Sequence, residues 1–150
     1  MGKIKIETKY LEELEVENEN ILSFPNGILG FENSTRFVLI DFPNNSLFKF
    51  LQDVDNVDIC FILINPWDFF EDYEIDIPDK ELDTIDLNPQ IENSLEVYSI
   101  VTLGNSLNES TANLLAPIII NIKSKIGKQY VLTYTSYSTK HKLIAKGADE

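Results

Sequence analysis

The sequence predicts an all-β protein: a small antiparallel β-barrel-like single domain with one or two short helices. Three observations lead there. Apolar residues recur mostly at period two, in short runs. Many of the runs are rich in β-branched and aromatic side chains, which suit a pleated, half-buried surface. The gaps between them carry Asn, Pro, Gly and Asp, the residues that turn a chain. About ten such runs in 150 residues fit an antiparallel barrel or sandwich.

The first run, 3–10, alternates polar and apolar residues, so one face is wet and the other buried, and 14–17 continues the habit. Further strands are expected over 20–24, 36–42, 47–52, 59–64, 73–77, 97–103, 111–122 and 129–135. Helix signals are few. Pro78 followed by Asp79, Lys80, Glu81, Leu82 and Asp83 resembles a helix start and predicts a helix over 79–85. A turn of helix is also expected at 32–35, after Gly30. The domain is expected to span 1–144. Residues 145–150 have nothing to bury and are expected to fray.

Composition narrows the function. Acidic residues number 25 against 12 basic ones, a net charge of −13. Phosphate binding runs on Lys and Arg, so direct contact with nucleic acid is not expected, nor is binding to an anionic membrane surface. No run reaches the length of a membrane span, and the N-terminal residues lack the apolar stretch of a secretory signal, which predicts a cytoplasmic protein. One cysteine, Cys60, excludes an internal disulfide framework and a cysteine-based zinc site; one histidine, His141, excludes a multi-histidine metal site. No cofactor is expected.

The charge is unevenly spread. Residues 53–96 hold fourteen acids and one lysine, whereas 110–148 hold six lysines and no acid. The acidic middle reads either as a solvated face or as a docking surface for a basic protein. Within it Trp67, Phe69, Phe70 and Tyr73 interleave with Asp68, Glu71 and Asp72, and Glu74 and Asp76 follow. Large aromatics beside acids supply what an interface needs, anchors and steering charge; the same aromatics also suit ordinary core packing.

No catalytic constellation emerges. His141 has cationic neighbours in sequence and no nucleophile elbow to serve, and it is expected to tie the C-terminal segment down by a hydrogen bond. Cys60 lies in an apolar run, where a thiol is inert. Asp53, Asp55 and Asp58 open a stretch that lacks the glycine and the twelfth-position glutamate of a calcium loop, and it reads as a turn. The glycines are followed by no Gly-Lys-Ser/Thr, so there is no phosphate loop. The protein is therefore not expected to be an enzyme.

Two segments carry backbone signals. In 21–32, Pro25, Gly27 and Gly30 permit two sharp changes of direction, with Phe24 and Phe31 as packing pegs. In 111–121, Pro117 sits amid a strong strand pattern. It cannot donate to a ladder, so the strand is an edge or is bulged there, and it serves either as a docking edge or as a barrel corner. A third segment, 137–143, is a polar exit after the last strand.

On these segments the sequence resembles the FliW family. Phe24-Pro25-Asn26-Gly27-Ile28-Leu29-Gly30-Phe31-Glu32 looks like the family's F-P-x-G-[IL]-x-G-[FY]-E segment. Asn113-Leu114-Leu115-Ala116-Pro117-Ile118-Ile119-Ile120-Asn121 looks like its N-L-x-A-P-[IV]-x-[IV]-N segment. Asn65 stands where the family often has Asp, and Lys142 where it commonly has Pro. The resemblance implies a non-enzymatic flagellar assembly factor, a monomer when free, with two protein partners. One is flagellin; the other is the RNA-binding translational repressor CsrA, antagonised allosterically once flagellin has been exported. Two alternatives remain open: an acidic mimic that occupies the repressor's RNA site, and a flagellin chaperone alone. The residues expected to meet partners are Phe24, Pro25, Gly27, Gly30, Phe31, Trp67, Phe69, Phe70, Glu71, Asp72, Glu74, Asp76, Asn113, Leu114, Leu115, Ala116, Pro117 and Asn121.

Overall fold

The period-two runs become strands whose pairing closes on itself. The computed structural model describes residues 2–90 and 93–143. Among them are eleven strands: β1 (Lys3–Ile6), β2 (Leu14–Glu17), β3 (Leu22–Ser23), β4 (Arg36–Phe42), β5 (Asn45–Asp53), β6 (Cys60–Ile64), β7 (Leu95–Thr102), β8 (Thr111–Ala112), β9 (Ile118–Asn121), β10 (Ile126–Gln129) and β11 (His141–Lys142). One helix, α1, spans Asp79–Asp83. Strands β7, β6, β5, β4, β3, β10 and β9 are neighbours in that order, and β9 returns to β7 from Leu95↔Asn121 to Tyr98↔Ile118. All pairings are antiparallel except the parallel bridge Ile126↔Ser23 between β10 and β3. The far end of β7 pairs with β8, and β8 with β11. Strands β1 and β2 form a separate hairpin.

Alternation then sorts the side chains. Phe37, Leu51, Leu63, Tyr98, Ile118 and Ile120 come from strands all round the ring and meet Phe24 and Ile28 in one cluster, the barrel interior. The opposite faces of β5, β6 and β7 are also apolar. Phe48, Phe50, Ile62, Ile64 and Val101 pack outward under Trp67, Phe69, Phe70 and Tyr73, and under Leu132 and Leu143 of the C-terminal segment. A strand buried on both faces reads as a nearly continuous apolar run, as 59–64 does. A third cluster seats Leu82, Ile85 and Leu87 around α1 against Ile119.

The expected strand over 111–122 is interrupted. Between the pairs Tyr98↔Ile118 and Val101↔Ala112, two residues of β7 oppose five residues, 113–117. This is the bulge that Pro117 demands, because a residue without an N–H cannot hold a place in the ladder. Other expectations fail as well. Residues 73–77 form no strand, and 129–135 keep only Gln129 within β10. Tyr134 has a φ of 55°, a left-handed kink that breaks an extended run. The strand over 20–24 shrinks to Leu22–Ser23, and 32–35 is a turn rather than helix. The expected tail, 145–150, lies outside the described residues.

Candidate functional site

The bulge organises one face of the molecule. Asn113 Oδ1 accepts the N–H groups of Leu115 (3.1 Å) and Ala116 (2.9 Å), so one side chain replaces two ladder partners. The N–H groups of Leu114 and Leu115 both donate to the Ser138 carbonyl at 3.1 Å, and Leu132 N–H donates to the Leu115 carbonyl at 2.8 Å. The C-terminal segment therefore lies against the bulge. His141 holds that segment's corner: its Nε2 accepts the Ser138 N–H at 2.9 Å, and its ring stands edge-on to Phe70 and Tyr137. This is the tying role expected for it.

The acidic segment lies across the same face. Trp67 Nε1 donates to the Tyr73 carbonyl at 2.8 Å, which coils the segment after the 3-10 turn Pro66–Asp68. The Tyr73 hydroxyl donates to the Leu114 carbonyl at 2.7 Å, and burial raises its pKa above the ordinary tyrosine range. Tyr137 packs edge-on against Tyr73, with ring centres 4.8 Å apart, and its hydroxyl accepts the Glu74 N–H at 2.9 Å. Trp67, Phe69 and Phe70 are half-buried against the outer cluster, whereas Glu71, Asp72, Glu74 and Asp76 are exposed. Burial thus sorts the interleaved pattern into inward aromatics and outward acids.

Two clefts share Tyr137. One, of about 370 Å³, is lined by Phe69, Phe70, Glu71, Asp72, Tyr73, Leu114 and His141 as well as Tyr137. The other, of about 390 Å³, lies between Glu74, Ile75 and Asp76 on one side and residues 132–137 on the other. The surface is anionic with an aromatic floor. It suits a cationic segment of another protein better than it suits a small metabolite. Among the described residues no three His, Cys, Asp or Glu side chains gather to hold a metal ion, and no helix is long and apolar enough to cross a membrane.

The 24–32 turn forms the next feature along. Phe24 is buried edge-on to Phe37, and Gly27 packs where a Cβ would lie 2.5 Å from the Phe31 carbonyl oxygen. Ile28 and Phe31 pair across a tight turn with Gly30 at φ 86°, and this turn presents Leu29, 61% exposed, beside the exposed Phe31. The Gln129 side chain joins this turn to the bulge: its Oε1 accepts the Leu29 N–H at 3.0 Å, and its Nε2 donates to the Ala116 carbonyl at 3.1 Å.

The structure therefore divides the expected contact residues. Pro25, Gly30, Phe31, Glu71, Asp72, Glu74 and Asp76 are exposed; Trp67, Phe69, Phe70, Asn113 and Leu115 are half-buried. Phe24, Gly27, Leu114, Ala116, Pro117 and Asn121 are buried and shape the surface from beneath. Asn121 lies away from the bulge. Its Nδ2 donates to the carbonyls of Ile85 (3.0 Å) and Asp86 (3.2 Å), so it clamps the segment after α1. Tyr73, Gln129, Tyr134 and Tyr137, which build the face, stood outside the expected set. Nothing in the sequence marks Gln129, whose two partners are 13 and 100 residues away.

Fold and face together define a barrel-like β domain with an acidic, aromatic-floored surface. Comparison with known proteins makes this specific. The model of the family described as FliW protein matches residues 5–143. The flagellar assembly factor FliW of Anoxybacillus flavithermus is 38% identical over 140 residues, covering 93% of this chain and 94% of that protein. That of Syntrophomonas wolfei is 41% identical over 138 residues, covering 92% and 87%. A crystal structure of the flagellar assembly factor FliW superposes with a TM-score of 0.87 at 38% identity, covering 96% of this chain and 99% of that one. The chain belongs to the FliW family of flagellar assembly factors.

Proposed function

We propose that the protein binds flagellin and, once flagellin has left the cytoplasm, binds a CsrA-type RNA-binding repressor and relieves its hold on flagellin mRNA. Catalysis has no part in this scheme. The observation that carries the reading is the row of exposed acids, Glu71, Asp72, Glu74 and Asp76, held beside the bulge on an aromatic floor. A repressor that grips RNA is basic. An anionic partner docked beside it lowers the positive potential that RNA meets without covering the RNA site. Two charges about 10 Å apart interact by roughly 0.4–1.7 kcal/mol at an effective dielectric of 20–80, before salt screening. Several such pairs suffice to shift RNA affinity severalfold.

The test is a variant in which Glu71, Asp72, Glu74 and Asp76 are all replaced by Lys. RNA binding by the repressor is measured with and without wild type and variant, and flagellin binding in parallel. Wild type is expected to weaken RNA binding and the folded variant to lose that effect. Unchanged antagonism by the variant rejects the electrostatic mechanism. Excess RNA distinguishes the modes: a mimic of RNA is displaced fully, whereas a partner bound elsewhere leaves a plateau.

A further inference from the structure

Residues 73–77 and 129–135 both have the composition of strands, yet residues 74–77 and 132–136 belong to no sheet. They flank the same cleft of about 390 Å³. Beyond the Glu74 N–H, which donates to Tyr137, and the Leu132 N–H, which donates to Leu115, their main chain is open. No hydrogen bond among the described residues uses the N–H or the C=O of Ile75, Asp76 or Ile77, or those of Thr133, Tyr134, Thr135 or Ser136. Residues 75–77, with strand composition and unpaired backbone, offer a vacant ladder edge.

We propose that this cleft accepts an extended cationic segment of a partner protein, which adds as a strand along residues 74–77. In an extended run successive N–H and C=O groups point to opposite edges, and the Glu74 N–H already reaches Tyr137 on the far wall, so the main-chain N–H and C=O of Asp76 face the cleft. Bonds to them would supply affinity without regard to sequence, and alternate side chains would supply selectivity. Charge complementarity fixes the occupant's chemistry. Glu74 and Asp76 are exposed and two residues apart, so they lie on one face of an extended run, while Ile75 is half-buried on the other. A segment with Lys or Arg at every second position matches that face. The opposite wall is different in kind. The kink at Tyr134 prevents a continuous ladder there and leaves the ring fully exposed, where it offers a face to a cation. Glu71 and Asp72 line the adjoining cleft beyond Tyr137 and extend the anionic field along the same path.

This inference rests on the proposed docking role of the face, and its test is separable from that role. The probe is acetyl-Lys-Val-Lys-Thr-Lys-Val-Lys-amide, titrated into the intact protein and followed by amide NMR. Two control peptides accompany it: one with Glu in place of every Lys, and one N-methylated at alternate backbone amides, which keeps the charge but blocks strand pairing. The expected result is amide shifts along residues 74–77, with slowed hydrogen exchange at Asp76 and not at Ile75 or Ile77. Affinity is expected to fall at least tenfold for either control and for the Glu74→Lys/Asp76→Lys double variant. Equal binding of the N-methylated peptide overturns strand addition, as does absence of binding by the probe or a shift pattern centred on another face. Probe binding by a protein that ignores flagellin and the repressor removes the partner assignment and leaves the cleft's specificity standing.

Discussion

The phenol of Tyr73 donates to the carbonyl of Leu114 across 2.7 Å, 41 residues away in sequence and inside the outer core. That bond joins the acidic segment to the Pro117 bulge, the two parts of the chain that carry the proposed docking face. A tyrosine is needed there because the bulge turns carbonyls out of the ladder, and a buried carbonyl without a donor is costly. Tyr73→Phe keeps the ring packed on Trp67 and Tyr137 and removes only the donor. The expected loss is about 1–3 kcal/mol of unfolding free energy in urea titrations, the range for stranding a buried polar group. Affinity for the two proposed partners is expected to fall with it, because the acidic row loses its anchor.

The two glycines of the 24–32 turn should respond differently to the same change. Gly30 has a positive φ of 86°, but a Cβ there meets nothing within 4 Å. Gly30→Ala therefore pays only the left-handed penalty, about 1–2 kcal/mol. Gly27 combines a φ of 66° with backbone atoms of Phe31 and Glu32 at 2.5–2.7 Å from the added methyl, so the chain itself must move. Gly27→Ala is expected to cost more than Gly30→Ala in thermal melts and to perturb the exposed Leu29 tip. Equal melting temperatures would contradict this account of the turn.

Local chemistry was legible in the sequence; contacts distant along the chain were not. Alternation gave most of the barrel strands, and the missing N–H of Pro117 gave the bulge. Pro78 and the acids after it gave the helix, with its end placed two residues late. The failures at 73–77 and 129–135 have a cause in common, to which the left-handed kink at Tyr134 adds in the second. Propensity reports what a segment tolerates, whereas a strand exists only where a neighbour offers a ladder. Composition gave the acidic face, but periodicity could not say which aromatics point inward. Asn121 was expected at an interface and is instead buried under the segment after α1, since the bonds that fix it reach residues 35 and 36 positions away.

Alkaline pH should destabilise the fold in steps. Burial pushes the Cys60 thiol up from 9.0 to about 11, with Lys9 partly opposing it, and raises the phenols of Tyr73 and Tyr98. Each group stays protonated in the fold at a pH where the unfolded chain already ionises. Their contribution to stability is therefore complete below pH 9 and is lost as pH rises through about 11 for the thiol and further for the phenols. Urea midpoints measured from pH 8 to 11 are expected to fall throughout the upper part of that range. The same shift makes Cys60 slow to react. The smaller thiolate fraction at pH 8 is partly offset by the greater nucleophilicity of a higher-pKa thiolate, so a disulfide reagent should label the native protein about tenfold more slowly than the urea-unfolded chain, and more slowly still where burial limits access.

Two buried polar residues predict opposite outcomes on losing their side chains. Asn121 is fully engaged: Nδ2 donates to the Ile85 and Asp86 carbonyls, and Oδ1 accepts from Ser94 Oγ at 2.8 Å and from the Lys123 N–H at 3.0 Å. Asn121→Ala strands several of these partners at once and is expected to cost at least about 2–3 kcal/mol, with faster amide exchange at Ile85 and Asp86 as its signature. Ser99 stands opposite the bulge on β7, fully buried, and its Oγ finds no partner among the described residues. The hydroxyl contributes a desolvation cost and no bond, so Ser99→Ala is expected to be neutral or to stabilise the protein by up to about 1 kcal/mol. A destabilised Ser99→Ala would mean that the hydroxyl is satisfied in solution, by water reaching the space the bulge leaves beside β7.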